Sequence, residues 1–437
     1  MSFLLSISFF SILRGLIGMV TLIGLAWLLS SNRKKIDWRL VGAGLGLQLV
    51  LAFLVLKVSW VTIGVEWLSK AFLRITQFTS AGTDFLFAPF GQPALDQALT
   101  NFAFTILPTI VFFSALTSML YYFGVLQWIV YAFAKVMKYL MRLSGAESLA
   151  AAGNMFLGQT EAPLLIRPYL DRMTRSEIMS LMTGGMATIA GGVLASYVGF
   201  LGGDDPEQKL LFTKHLLTAS VMSAPAAIVA AKILVPETET FDRSMQVSKD
   251  KIGTNVLEAL ANGTSDGLKL AINVGAMLLV FTALMALGNY LLGQIGGVTG
   301  LNEWIAATTD GRYSALSFQF LVGYGCAPIA WLLGVNSADM VLVGQLLGEK
   351  TILNEFIGYI SLGDMKARGA FAEEKSVVMA TYILCGFANF ASIGIQIGGI
   401  GALVPHRKGL LSQLGLKALI GGTMACLFTA VIVGMFY

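Results

Sequence analysis

Apolar runs of about 20 residues recur along this chain, and two of them are broken near their middle by a glutamate in a short polar cluster. The first cluster reads Gly153-Asn-Met-Phe-Leu-Gly-Gln-Thr-Glu161 and continues Ala-Pro-Leu-Leu-Ile-Arg-Pro-Tyr169. The second reads Gly348-Glu-Lys-Thr-Ile-Leu-Asn-Glu-Phe-Ile-Gly-Tyr359. An ionised side chain at the centre of a bilayer costs on the order of 2.5–3.5 kcal/mol on insertion scales, so it is kept for a function. Non-helical backbone at that depth is tolerated only where protein or water surrounds it. These breaks therefore constrain the chain to helices that leave a polar pocket inside a membrane.

The composition agrees. Of 437 residues, 56% are hydrophobic and 12% charged, about half the charged share of a soluble domain. The expectation is an all-α polytopic membrane protein with eight transmembrane helices, two re-entrant hairpins and interfacial helices. Short alternating segments that would signal a barrel are missing. The first apolar stretch, Phe3 to about Leu29, carries no small-residue cleavage site, so no cleavable signal peptide is expected. The net charge of +4 is spread through loops, which argues against nucleic acid as a partner. Cys326, Cys385 and Cys426 lie in or beside apolar segments without metal-ligand spacing and are read as packing residues. His215 and His406 stand alone and look exposed, which gives neither a catalytic role.

The expected spans are 15–30, 39–57, 102–127, 177–200, 213–235, 268–296, 376–402 and 412–436. The basic linker 31–39 should face the cytoplasm, which places both termini outside. Lys135, Lys138, Arg142, Arg167, Arg172 and Arg175 then fall inside, as the charge bias requires. Residues 58–90 suit a helix at the outer interface; 128–143 and 254–265 suit the inner one. Segments 146–170 and 318–359 read as the hairpins, because each must return to its starting side.

A unit of hairpin followed by interrupted helix occurs twice. Arg175-Ser176 and Lys375-Ser376 open the two interrupted helices, and Thr188 stands opposite Asn389 after a one-residue shift. One hairpin enters from each side, so the repeat is inverted. Paired interrupted segments of this kind point to the midplane site of a transporter. Glycine packing between helices explains the glycines, but not the recurrence of Asn154, Glu161, Glu355 and Asn389 in register.

The residue types narrow the solute. Carboxylates accept from vicinal hydroxyls, while Gln, Asn, Thr and Ser match amide-like edges. Lys350 and Arg167 only flank the hairpins, so an anionic substrate is disfavoured. A neutral polyhydroxy or heterocyclic solute and a cation both remain open. Phe387 and Phe390 beside Asn389 favour a solute with a flat face. Gly42-Ala-Gly-Leu-Gly46 and Gly398-Gly-Ile-Gly-Ala402 lack the strand context of nucleotide loops and are assigned to helix packing. A membrane enzyme using Glu161 and Glu355 as acid and base would need a nucleophile, metal cluster or cofactor motif that the sequence does not offer, so no enzyme and no cofactor is expected. A channel fits two closed polar pockets less well than alternating binding does.

Gly158-Gln-Thr-Glu-Ala-Pro-Leu164, Asn354-Glu-Phe356 and Gly386-Phe-Ala-Asn-Phe390 resemble the signatures of the concentrative nucleoside transporters. Asn255-Val-Leu-Glu-Ala and Asn273-Val-Gly-Ala are similar too, so the resemblance runs over nearly the whole chain. It implies a cation-coupled nucleoside symporter of the bacterial inner membrane, an elevator-type homotrimer with a scaffold and a mobile transport domain. On that basis 1–127 and 254–296 are scaffold and interfacial helices, and 128–235 and 312–437 are the two transport-domain repeats. The resemblance implies that Gln159, Thr160 and Glu161 face the nucleobase, with Val193 as apolar neighbour. It assigns the ribose to Glu355, Asn389 and Ser392, with Phe387 against the sugar. The Na+ site it implies uses the Asn154 side chain, Thr188 and the Leu157 and Ile189 carbonyls. Three positions depart from the pattern. Gly358 stands where Ala is commoner, Ala391 where Ser is common, and Thr188 where Ser is usual, although the hydroxyl is kept. Proton coupling through a carboxylate, and transport of another neutral solute, are the alternatives.

Overall fold

A computed structural model describes residues 9–87, 107–203, 205–242, 244, 253–309 and 311–437. The described residues are helical, without strands. Residues 88–90 of the expected outer interfacial helix, and 102–106 of the expected third span, lie outside them.

The first helices are α1 (Phe9–Leu28), α2 (Trp38–Lys57) and α3 (Ser59–Phe87). Asp37 fixes the start of α2 by accepting from the Arg39 and Leu40 amides. Helix α4 (Leu107–Tyr122) then meets α5 (Val125–Met141) at a bend of 78°. Gly124, at φ +77°, makes that corner. The expected inner interfacial helix is α5: one of its faces is buried through Leu126, Val130, Ala134, Met137 and Met141.

Next come α6 (Gly145–Asn154), the short α7 (Ala162–Leu165), α8 (Arg175–Ala187), α9 (Gly191–Gly202) and the long α10 (Pro206–Leu234). The second half brings α11 (Val256–Thr299), α12 (Leu301–Thr308), α13 (Phe318–Leu332), α14 (Met340–Ile352), α15 (Glu355–Ala367), α16 (Glu374–Leu384), α17 (Phe390–Leu403) and α18 (Lys408–Gly434). The same order therefore appears twice: a helix, a hairpin, an interrupted helix and a long helix. The members are α5, α6–α7, α8–α9 and α10, then α13, α14–α15, α16–α17 and α18.

Two expectations are corrected. The segments 254–265 and 268–296 are not separate helices but parts of one 44-residue helix, α11. No proline interrupts it, and Asn255 caps its start on the Glu258 amide. The second hairpin is also shifted. Residues 318–332 form a helix of their own, and the hairpin runs over α14 and α15 with its tip at Leu353-Asn354. The polar tip was visible in the sequence; the returning arm, Glu355–Ala367, extends past the boundary expected at 359.

Helices α8, α10 and α18 pack on one another and form the buried centre. The residues of α10 from Ala224 to Leu234 are almost wholly inaccessible. Proline at 225 is accommodated inside that helix, where neighbours on every side can satisfy the freed backbone. Helix α4 packs against the N-terminal half of α11, and α11 leaves Leu257, Leu279 and Val298 exposed. Five helices or helix pairs among the described residues are long and apolar enough to cross a membrane, six if α4 and α5 are one bent span. Together with the exposed apolar faces, this describes a multi-pass membrane protein.

Candidate functional site

The two interrupted helices cross at their breaks. Between α16 and α17 the chain runs through Cys385–Asn389, and Gly386 adopts φ +149°. A Cβ at Gly386 would lie 2.8 Å from the carbonyl carbon and oxygen of Ala187, the last residue of α8. Only glycine fits there, for both conformation and space. Each break frees carbonyls that lipid could not satisfy. Lys350 Nζ donates to the Ile383 carbonyl at 2.8 Å and contacts Cys426 Sγ at 3.2 Å. Cys426 Sγ in turn donates to the Cys385 carbonyl at 3.0 Å. Lys350 thus braces the second break, and Cys426 does more than fill space.

The tips of both hairpins meet these breaks. At the first tip, the Gly158 amide donates to Glu161 Oε2 at 2.5 Å. Thr160 and Glu161 are exposed, while Gln159 is buried. Thr160 rests on α17, since a Cβ at Gly399 would meet its methyl at 2.9 Å. At the second tip, Asn354 caps α15 by accepting from the Ile357 amide at 3.0 Å, and Glu355 begins the helix with a buried side chain.

One continuous polar chain links the elements. Gln159 Nε2 donates to Ser392 Oγ at 3.2 Å. The Ser392 amide donates to Asn389 Oδ1 at 2.9 Å, which also caps α17. Asn389 Nδ2 donates to Glu355 Oε2 at 2.8 Å. Tyr197, on α9, donates to Glu355 Oε1 at 3.2 Å. Gln396 closes the other end, donating to Gln159 Oε1 at 3.1 Å and to the Met182 carbonyl at 3.0 Å. Residues expected from sequence, Gln159, Glu355, Asn389 and Ser392, are therefore brought into one network. Glu161 and Thr160 border it from the hairpin tip. Phe387 is half-buried within the second break, and Val193 is buried in the first turn of α9 within the main apolar core.

Tyr197 and Gln396 were not expected. Gln396 lies four residues after Ser392 and seven after Asn389, so the helical period alone puts the three on one face. Tyr197 carries no such sign. It stacks on Tyr359 with ring centroids 4.2 Å apart and is fully buried, a position that only the tertiary fold creates. His215 is corrected as well. It is buried rather than exposed, with Nδ1 3.2 Å from the Tyr382 hydroxyl and Nε2 3.1 Å from that of Tyr437.

Asn154 is the outlier of the first hairpin. It is 1% exposed, yet neither Oδ1 nor Nδ2 has a hydrogen-bond partner. Its amide lies against the bare Gly184, where a Cβ would sit 2.7 Å from Nδ2. Thr188 is one turn further along and bonds back to the Gly184 carbonyl at 2.9 Å. Leu157, Thr188 and Ile189 are equally buried. Buried polar groups are rarely left orphaned, so this oxygen-bearing side chain fits a small hard cation. Among the described residues no group of His, Cys, Asp and Glu offers a divalent-metal cluster.

Three family models account for most of the chain. Those described as the N-terminus and C-terminus of the Na+ dependent nucleoside transporter match residues 17–90 and 215–434. One described as nucleoside recognition matches residues 103–204. An uncharacterized transporter of Haemophilus influenzae is 40% identical over 433 residues, 98% of each chain. The chain belongs to the Na+-dependent nucleoside transporter family. Solute carrier family 28 member 3 of Rattus norvegicus is 39% identical over 96% of this transporter, which spans 58% of that longer protein. CNTnw in an inward-facing substrate-bound state superposes with a TM-score of 0.85 at 36% identity, covering 97% of this transporter and 98% of that chain. A variant of the same protein in an outward-facing state gives 0.86 at 36% identity and 98% of both.

Proposed function

We propose that this chain is a Na+-coupled nucleoside symporter that works by alternating access. The observation that carries the reading is the polar chain from Gln396 to Tyr197, which joins both hairpins and both interrupted helices beside the exposed Glu161 and Thr160. Family membership and the two opposite-facing states of CNTnw support it.

In this reading Gln159, Thr160 and Glu161 contact the nucleobase, and Val193 lines its apolar side. Glu355, Asn389 and Ser392 bind ribose hydroxyls, with Phe387 against the sugar. Gln159 and Ser392 share a hydrogen bond, so base and sugar recognition are mechanically joined. Na+ is the coupling ion, taken by Asn154, Thr188 and the carbonyls of Leu157 and Ile189. Asn154 Oδ1, which accepts no hydrogen bond within the protein, is the atom that would ligate the ion. One Na+ falling through 100 mV supplies about 2.3 kcal/mol, and a tenfold gradient adds about 1.4 kcal/mol. The sum sustains accumulation of roughly a few hundredfold.

The repeated element order supports an inverted repeat, one hairpin opening to each side. Residues 128–235 and 312–437 then form a transport body, and 1–127 with 254–296 a scaffold. The protein is a homotrimer of a bacterial inner membrane with both termini outside. The test is uptake of radiolabelled uridine into vesicles at fixed pH, with Na+ or choline outside. Uptake that needs inward Na+ is expected. Undiminished uptake driven by a pH gradient in choline would overturn the Na+ assignment, and no uptake of any nucleoside would overturn the substrate class.

A further inference from the structure

A cavity of about 630 Å³ lies between the C-terminal part of α11, the loop before α13 and the second hairpin. None of the polar-chain residues lines it. Its walls include Asn289, Tyr313, Gln345, Glu349, Ser361 and Asp364. Glu349 is the unusual member. It sits on α14, 1% exposed, and has no salt-bridge partner among the described residues. Oε1 accepts from Gln345 Nε2 at 2.9 Å, and Gln345 Oε1 is held by the Tyr313 hydroxyl at 3.0 Å. The Ser361 hydroxyl faces the same carboxylate, but Oε2 makes no hydrogen bond of normal geometry.

Arg312 and Arg368 line the same cavity, but neither forms a salt bridge with Glu349 among the described residues. Arg312 donates to the Ala338 carbonyl at 3.4 Å. On α15, Arg368 forks onto Asp364, and both are exposed. Lys350, the next residue, points to Ile383 and Cys426 instead. Helix α13, which packs on α14, has no charged residue. The charged residues of α16, Glu374 and Lys375, lie in its first turn and line a different cavity. A buried carboxylate without a counter-charge takes up a cation or a proton.

We propose that this cavity is a second monovalent-cation site, with Glu349 as its charge and Gln345 and Ser361 as neutral ligands. The bound charge is Na+ or a proton; either neutralises the same carboxylate. The site lies one helical turn before the Leu353-Asn354 tip, and one wall, Asn289, belongs to α11. Occupancy would therefore bear on how the second hairpin sits against that helix. The inference rests on cation-coupled transport, but its first readout needs no nucleoside.

That readout is the Na+-dependent shift in melting temperature of purified full-length protein, with choline balancing ionic strength. If the ion is Na+, a shift persists in Asn154→Ala and disappears in Asn154→Ala combined with Glu349→Gln. If it is a proton, no Na+ shift remains in Asn154→Ala. In proteoliposomes Glu349→Gln then loses uptake driven by a pH gradient and moves one elementary charge fewer per uridine. Wild-type charge per uridine together with wild-type Na+ and pH dependence in Glu349→Gln would overturn the proposal. Should that variant fail to fold, Ser361→Ala and Gln345→Leu replace it. Each is expected to raise the half-saturating cation concentration about tenfold, the scale of one lost bond to a charged group, and no change in either would also overturn it. Absence of any uridine uptake by the wild type would instead sink the proposed function and leave the melting readout to decide the site.

Discussion

At the scale of single residues, Glu355 and Asn154 present opposite situations. Both oxygens of Glu355 are engaged, by Tyr197 and Asn389, whereas neither polar atom of Asn154 has a partner. Hydrogen bonds to charged groups are worth about 1.5–3 kcal/mol each. Tyr197→Phe removes one such bond but keeps the ring stack on Tyr359, so the protein should fold while the KM for nucleoside rises roughly tenfold. Glu355→Gln should cost more, because the charge is lost to both partners and to the proposed ribose contact. A Tyr197→Phe variant with wild-type KM would show that the hydroxyl does not position Glu355. Asn154→Ala is expected to behave differently. With no protein hydrogen bond to lose, its melting temperature without Na+ should stay close to that of wild type. Its Na+ requirement for uptake should rise about tenfold or more, by the loss of the proposed direct ligand. A large fall in melting temperature without Na+, at unchanged Na+ dependence, would assign Asn154 to structure. These residues were legible in the sequence because polar groups in apolar helices stand out. Tyr197 was not, because a tyrosine in a helix is ordinary until the fold places a carboxylate beside it.

At the scale of elements, the sequence marked each break and misjudged some boundaries. Composition locates the glycine and polar residues that interrupt a helix. It does not say whether a short gap ends a helix, and α11 continues through Asp266 and Gly267 without interruption. The second hairpin moved toward the C-terminus for the same reason: an apolar segment reads alike as a hairpin arm or as a separate helix. The crossing of the two breaks was outside the reach of sequence, since it depends on Gly386 touching the end of α8. Gly386→Ala tests that crossing. Its Cβ would meet Ala187 at 2.8 Å while the residue sits at φ +149°, and strain of this type costs on the order of 1–3 kcal/mol before any overlap is counted. The variant should melt several degrees lower and lose uptake. A neighbouring change in open space, Gly394→Ala, should do neither, because nothing lies within 4 Å of that Cβ. Equal melting temperatures for the two variants would mean that the breaks do not depend on close contact.

At the scale of the whole molecule, the repeated order of elements argues for two bodies that slide past each other, and one contact tests it directly. Helix α4 falls in the proposed scaffold and α9 in the proposed transport body, yet the two pack together. A Cβ at Gly192 would lie 3.6 Å from that of Phe113, inside the 3.5–4.5 Å range that a disulfide spans. Gly192→Cys with Phe113→Cys should therefore close a bond on oxidation. If α9 travels with the transport body, that bond fixes one arrangement: uptake should fall to background when oxidised and return with reductant. Each single variant should transport under both conditions. Na+ or uridine should alter the rate at which the bond forms, since either ligand can shift the arrangement only by favouring one state over the other. Quantitative cross-linking shown by mass spectrometry, with uptake unchanged, would mean that α4 and α9 belong to one rigid unit. The boundary between scaffold and transport body would then have to lie elsewhere, or alternating access would have to arise from hairpin motion alone.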